Sequence, residues 1–210
     1  HAFYPRALAT AVLATMGLRN SPILISFRGI ITLLSRWNPE NYITYFHPRV
    51  FWHTCESEAE RQSLIESGLP MDSCVKLERT FPPVDGQGLG REDLLEYGIP
   101  SDAFVVGTIS TIRPVKGIDL LLEAAKQCVD LKDLFLLFIG PIEDSKVRKM
   151  VEDPRIRDRV KMVGFQKSPA KFMASADLYA MPSRMEGLGR ALLEAMSYGI
   201  CPLVSDAGGM

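Results

Sequence analysis

"DLYAMPSRMEGLGRALLEAMSYGICPLVS", residues 177–205, decides the fold. It opens with a short apolar segment, "DLYAMPS" (177–183), which stops at Pro182-Ser183 and gives way to a turn holding Gly187 and Gly189. Apolar residues at helical spacing then run to the small-residue exit at Gly199, and "CPLVS" (201–205) is again short and apolar. Two strands joined through a helix rather than a tight turn lie parallel, with the helix packed on a face of the sheet. Two acids, Glu186 and Glu194, sit in the middle of this apolar unit, eight positions apart.

Upstream the pattern repeats. "AFVVGTIS" (103–110), "LFLLFIG" (134–140) and "VKMVGF" (160–165) read as strands. Helical stretches separate them: "GIDLLLEAAKQC" (117–128), a charged helix over about 143–152, and "PAKFMASA" (169–176). Such alternation predicts a parallel sheet covered by helices on both faces. Ligands of open sheets of this kind sit at the carboxyl ends of the strands.

The first part shows a looser form of the same order. Residues 5–17 read as a helix, "PILISF" (22–27) as a strand with Arg28-Gly29 as the turn at its end, and "PRVFWHTC" (48–55) as another strand. "SEAERQSLIESG" (57–68) is a helix opened by Ser57 and Glu60 at capping-box spacing and closed by Gly68. Between "RTFPPVDGQGLGRED" and "YGIPSD" the composition shifts to Pro, Gly and acids, which reads as a connector over a surface. Gly86, Gly88 and Gly90 form a Gly-x-Gly-x-Gly there, but no strand precedes it and the G-x-G-x-x-G order is missing, so a connector is the better reading than a nucleotide loop. The expected division is 1–84, a linker at 85–100, and 101–210. The ends look cut, since His1 opens almost directly into a helix and nothing follows to cover "ICPLVS", which reads as a buried strand. A fragment of a longer enzyme is expected.

The 210 residues carry 24 Lys and Arg against 25 Asp and Glu, so no global field recruits nucleic acid or anionic lipid. Cys55, Cys74, Cys128 and Cys201 are scattered, which argues against a zinc site and a disulfide framework, and three histidines are too few and dispersed for a metal cage. No metal and no other cofactor is expected. The run "RALATAVLATMGL" reads as an amphipathic helix rather than a signal peptide, and no apolar stretch approaches the roughly 18–20 residues that span a bilayer. A soluble, cytoplasmic protein is expected, with peripheral membrane contact left open.

The strand-end turns carry the polarity. Thr111, Arg113 and Lys116 follow "VVGTIS", Gln166 follows "VKMVGF", and Arg184, Glu186 and Gly187-Leu188-Gly189 follow "DLYAMPS". A glycine-fronted helix N-terminus offers N–H groups and a positive dipole end to phosphates or sugar hydroxyls. With Glu186 in the turn and Glu194 two helical turns on, the acids are about 12 Å apart along the axis at ~1.5 Å per residue. That span suits a nucleoside diphosphate sugar, with the cations between.

"IRPVKGIDLLLEA", "VGF" and "ADLYAMPSRMEGLGRALLEAMSYGICPLVSDAGG" together resemble the donor-binding half of retaining glycosyltransferases of family 4, with GT-B architecture and an E-x7-E motif followed by a Gly-Gly turn. The likeness runs over 101–210 and, more loosely, over 1–80. It implies two Rossmann-like parallel-sheet domains, the first incomplete and the second truncated. By the same resemblance, Glu186 is the acid beside the transferred sugar, Glu194 the ribose ligand and Lys116 the diphosphate ligand. Val163, Gly164 and Phe165 lie near the nucleobase, and the amides of Gly187, Leu188 and Gly189 near the sugar. Thr111 stands where many members have an arginine, Arg113 two residues on is at a variable position, and Arg28, beside Gly29, stands where a histidine often faces the donor sugar. The glycine-rich loop that usually begins the acceptor domain is missing.

The resemblance implies transfer of a sugar from a nucleotide donor to a hydroxyl acceptor without a metal. No general base is visible, which fits acceptance of the acceptor proton by the departing phosphate. A non-catalytic nucleotide-sugar binding protein of the same fold is the alternative, motivated by Thr111 and Arg28; a nicotinamide oxidoreductase lacks its G-x-G-x-x-G. Each residue also has an ordinary reading: Glu194 as a solvated helix residue, Glu186 as an acid at a helix start, Lys116 and Arg113 as surface charges, the glycines as helix entry. Phe46, Phe51 and Trp52 are expected in the core, and Arg155, Arg157 and Arg159 on a solvated edge interleaved with acids.

Overall fold

The computed structural model describes residues 1–78 and 90–210. The chain divides into two compact units. The first comprises His1–Thr80, Glu186–Leu188 and Gly208–Met210, and the second Phe81–Met185 and Gly189–Ala207. Gly86 and Gly88 of the glycine repeat lie outside the described residues.

The first unit carries α1 (Pro5–Thr15), β1 (Leu24–Arg28), α2 (Pro39–Tyr42), β2 (Val50–Cys55), α3 (Glu58–Glu66) and β3 (Cys74–Lys76). Its sheet runs β1-β2-β3, all parallel. Leu8 and Val12 of α1 lie one helical turn apart and pack, with Leu24, Val50, Cys55 and Leu64, into one apolar cluster. The start of α3 differs in detail from a reciprocal capping box. Ser57 Oγ accepts from the Glu60 amide at 3.2 Å, while Glu60 Oε2 accepts from the Glu56 amide at 2.8 Å, one residue before the cap.

Two expectations fail here. Phe51 and Trp52 are exposed rather than core. The register between β1 and β2 shifts at Leu24/Ile25, so Leu24 pairs with Val50 and Ile25 with Trp52, and Phe51 is left opposite no partner as the extra residue of a bulge. Of the three aromatics expected in the core, Phe46 is the one that packs against the core cluster. Arg28, read as a turn residue, is instead the last residue of β1 and is buried.

In the second unit β4 (Phe104–Ile109), α4 (Ile118–Gln127), β5 (Leu134–Ile139), α5 (Ser145–Met150), β6 (Val160–Gly164), α6 (Ala170–Met173), β7 (Leu178–Met181), α7 (Arg190–Ser197) and β8 (Cys201–Val204) follow the expected alternation. The sheet order is β6-β5-β4-β7-β8, parallel throughout. Ile118, Leu122 and Ala125 form the buried stripe of α4 and meet Val106, Leu136 and Phe138 of the sheet. Each fully buried Leu or Ile here stabilises by about 1.5–3 kcal/mol.

The strand β8 is not buried: all four of its residues are exposed, because it lies at the sheet edge with β7 as its partner. Pro202 suits such an edge, where its missing N–H breaks no ladder. The stretch read as connector also gains structure from Arg91 onward. Arg91–Tyr97 is a 3-10 helix with Leu94 fully buried. Asp177 anchors it, taking the Arg91 guanidinium on Oδ1 and the Val105 amide on Oδ2 at 2.7 Å.

Candidate functional site

The strand order fixes where a crevice must open. From β4 the chain moves to β5 and β6 on one side, then returns to β7 and β8 on the other. The carboxyl ends of β4 and β7 are therefore the topological switch point, where ligands of open α/β sheets bind. The segment after β4 carries Thr111 and Arg113, then a 3-10 turn, Pro114–Lys116, and Gly117 as the N-cap of α4. Gly117 has φ 65°, and a Cβ there would lie 1.9 Å from the Pro182 carbonyl oxygen. Only glycine lets the Lys116 turn approach the end of β7 so closely.

Arg184 stitches the same two turns. Its amide donates to the Val115 carbonyl at 2.8 Å and its Nη1 to the Pro114 carbonyl at 2.7 Å. The guanidinium fork also grips Asp119 on both oxygens, at 2.8 and 2.9 Å, and Lys146 Nζ adds a contact to Asp119 Oδ2 at 2.8 Å. Asp119 is 7% exposed, and the Arg184 fork, followed by Lys146, holds its carboxyl far below the usual range against the opposing cost of burial. The Lys116 turn thus rests on a bidentate ion pair.

Glu194 is half-buried on α7, whose N-cap is Gly189; burial first, then the Glu194 charge, raises the phenol pKa of Tyr198. Val163 and Gly164 end β6, two strands from β4, and the Gly164 carbonyl accepts from the Gly140 amide at 2.7 Å. Phe165 beyond them is 80% exposed. Ser110 Oγ, at the end of β4, is buried with no hydrogen-bond partner among the described residues.

Glu186, Gly187 and Leu188 belong to the first unit together with Arg28 and Gly29. The Gly209 amide donates to the Glu186 carbonyl at 3.0 Å, so the Gly-Gly turn fixes the backbone of that acid. Gly187 is glycine for a reason the sequence hides. A Cβ there would sit 2.2 Å from Glu60 Oε1 and 3.0 Å from the Gly29 carbonyl oxygen. Glu60 is fully buried, and its Oε1 has no hydrogen-bond partner among the described residues; burial pushes its carboxyl pKa up.

Sequence reasoning passed over Asp119, Lys146 and Glu60. Asp119 reads locally as an acid favouring a helix N-terminus, and Glu60 as a cap; Arg184, which meets Asp119, and Gly187, which faces Glu60, are distant in the chain. Among the described residues no group of three or more His, Cys, Asp or Glu could hold a metal ion, and no helix is long and apolar enough to cross a membrane. All four cysteines are unpaired: Cys55 and Cys74 buried, Cys128 intermediate, Cys201 exposed. Burial pushes the Cys55 thiol up to about 12.

With this geometry in place the family follows. Residues 91–210 match the family model "Glycosyl transferases group 1", and the chain belongs to that family. Among curated relatives, the O-antigen biosynthesis glycosyltransferase WclY of Escherichia coli is 30% identical over 111 residues, covering 53% of this chain and 31% of the relative. The N-acetyl-alpha-D-glucosaminyl L-malate synthase of Bacillus anthracis is 33% identical over 116 residues, 55% of this chain and 30% of the relative. These matches thus cover under a third of each relative. Among solved structures, Anabaena Alr3699/HepE in complex with UDP shares the fold at a TM-score of 0.80 and 22% identity, over 100% of this chain and 61% of that one. The fold class read from the sequence, α/β with two Rossmann-like parallel sheets of GT-B type, is the one these proteins share.

Proposed function

We propose that the chain is part of a retaining glycosyltransferase that moves a sugar from a nucleoside diphosphate donor to a hydroxyl acceptor. The observation that carries this reading is the cationic turn at the β4/β7 switch point, within the segment that matches the family model. In it Lys116 receives the diphosphate, Arg113 adds positive charge, and the Ser110 hydroxyl and Thr111 line the approach. Glu194 takes the ribose hydroxyls, Val163 to Phe165 flank the base, and Glu186 with the Gly187 to Gly189 amides receives the sugar. No metal is required in this scheme.

The leaving diphosphate gains negative charge as the anomeric C–O bond breaks, and a fixed ammonium stabilises that charge more in the transition state than in the ground state. The acceptor oxygen bonds to the anomeric carbon on the face the phosphate leaves. Its proton passes to the departing phosphate oxygen, so no separate base is needed. A cytoplasmic enzyme with a glycan, lipid-linked or small-molecule acceptor fits relatives described as an O-antigen biosynthesis glycosyltransferase and an N-acetyl-alpha-D-glucosaminyl L-malate synthase.

Replacing Glu186 with Ala in the full-length enzyme is expected to lower turnover about 100-fold or more, the scale of losing one charge-stabilising group. Unchanged turnover with the native donor would remove Glu186 from the reaction. Nucleotide binding without any turnover in the wild type would favour the non-catalytic alternative.

A further inference from the structure

The first unit contains a cavity of about 270 Å³ at the end of β1, walled by Phe3, Tyr4, Phe27, Ile30 and Tyr45 with Arg28 among them. Its volume lies below the ~300–1,000 Å³ of sites for drug-sized ligands and suits a single ring. The walls are aromatic on several sides, with the Phe3 and Phe27 rings 5.0 Å apart. Such rings stack against the C–H faces of a sugar.

The cation decides what that ring carries. Arg28 is 3% exposed, yet no carboxylate forms an ion pair with it among the described residues. Neutral groups hold it: Nε donates to the Ile30 carbonyl at 3.1 Å, Nη2 to the Thr32 carbonyl at 2.6 Å and to the Thr32 hydroxyl. The guanidinium also lies over the Tyr45 ring, 5.0 Å from its centroid. These contacts fix the plane of the fork, the Tyr45 hydroxyl is a further polar neighbour, and the Glu60 carboxylate acts on the charge only from beyond ion-pair distance. A buried charge without a counter-ion is costly, and an anionic ligand offsets that cost. No second Lys or Arg lines the cavity, so it suits one negative charge rather than two.

We propose that this cavity binds the carboxylate of an acidic sugar ring, a uronic acid, on the acceptor, with the carboxylate on the Arg28 guanidinium and the ring against Phe3 and Phe27. The assignment of the acceptor role rests on the glycosyltransferase reading above; the binding itself does not.

The test is an NMR titration of the chain without any nucleotide, read at the amides of Gly29, Ile30 and Thr32. The probes are methyl β-D-glucuronide, methyl β-D-glucoside and glucose 1-phosphate. The glucuronide is expected to bind at least about tenfold more tightly than the glucoside, the scale of one charge-assisted hydrogen bond. Arg28→Gln should abolish that preference, and Ile30→Glu, at an exposed position, should weaken glucuronide binding while leaving the Arg28 contacts in place. The second variant carries the test if the first unfolds. Equal binding of glucuronide and glucoside, no binding of either, tighter binding of glucose 1-phosphate, or a preference that survives Ile30→Glu unchanged would each overturn the proposal. A parallel UDP titration keeps this outcome separate from that of the enzymatic reading.

Discussion

Two arginines at strand ends are handled in opposite ways. Arg28 closes β1 and Arg184 follows β7, and both donate to backbone carbonyls of a neighbouring turn. Arg184 also meets Asp119 through a two-pronged ion pair, so its charge is cancelled and its work is mechanical: it holds two turns together. Arg28 is the more deeply buried of the two, and its contacts are neutral. The same side chain therefore serves as a brace in one unit and, in the other, as a cation with no carboxylate in contact. The partner decides which, rather than the arginine.

Removing Arg28 should give the largest effect on stability. Arg28→Met leaves the Ile30 and Thr32 carbonyls without their donor, which release of the buried charge offsets only in part, and unfolding by urea is expected to show a net loss of about 3 kcal/mol. A loss below about 1 kcal/mol would mean that the Ile30–Thr32 loop is not held by this side chain.

Acid should separate the units next. His53 is buried, accepting or donating at 2.8 Å with Ser26 Oγ, and burial first, then the Arg28 charge, lowers its pKa from 6.5 to about 4. The unfolded chain takes up this proton first, so stability is full above pH 6.5 and is lost as pH falls towards about 4. The contribution is about 2–3 kcal/mol at most by linkage. Glu60 works in the other direction, since its raised pKa stabilises the fold as it gains a proton. Asp119 in the second unit, with its pKa depressed, keeps its contribution until pH falls below its ordinary 3.8. Hydrogen exchange between pH 6.5 and 4.5 is thus expected to loosen the β1–β2 amides before those of β4 and β7, and His53→Gln should reduce that difference. Uniform loosening would contradict it.

The smallest effect is expected at the brace. Asp119→Asn keeps acceptor capacity but removes the charge facing Arg184, and thermal unfolding is expected to fall by about 2–4 °C. Donor affinity should weaken with it, because the Lys116 turn loses its tether, while Lys146→Ala, at a more exposed contact, should do less. Equal effects from both variants would show that the fork geometry is not what matters.

Much of the second unit was legible in the chain. The alternation over residues 101–205 reads directly as strand and helix because each buried strand is a short apolar run bounded by turn residues. Edges and registers were less visible: β8 has the composition of a core strand and lies at the edge, and Phe51 and Trp52 are exposed by a local register shift that apolar composition does not encode. The turns at the ends of β4 and β7 were legible, since strand ends and the Gly and Pro residues that mark them are local. Its supports were not. Arg184 and Asp119 are 65 residues apart, and nothing near either one announces the other. Gly187 likewise reads as helix entry, while its lack of a side chain is demanded by Glu60, far away in sequence.

The central claim is that the crevice at the ends of β4 and β7 holds a nucleoside diphosphate on Lys116. Calorimetric titration of UDP, GDP and ADP into the wild type and Lys116→Ala tests it most directly. One of the three is expected to bind, with an affinity at least about tenfold weaker in the variant, as befits loss of a charge-assisted contact. Failure of all three to bind, or an affinity indifferent to Lys116, would contradict the account.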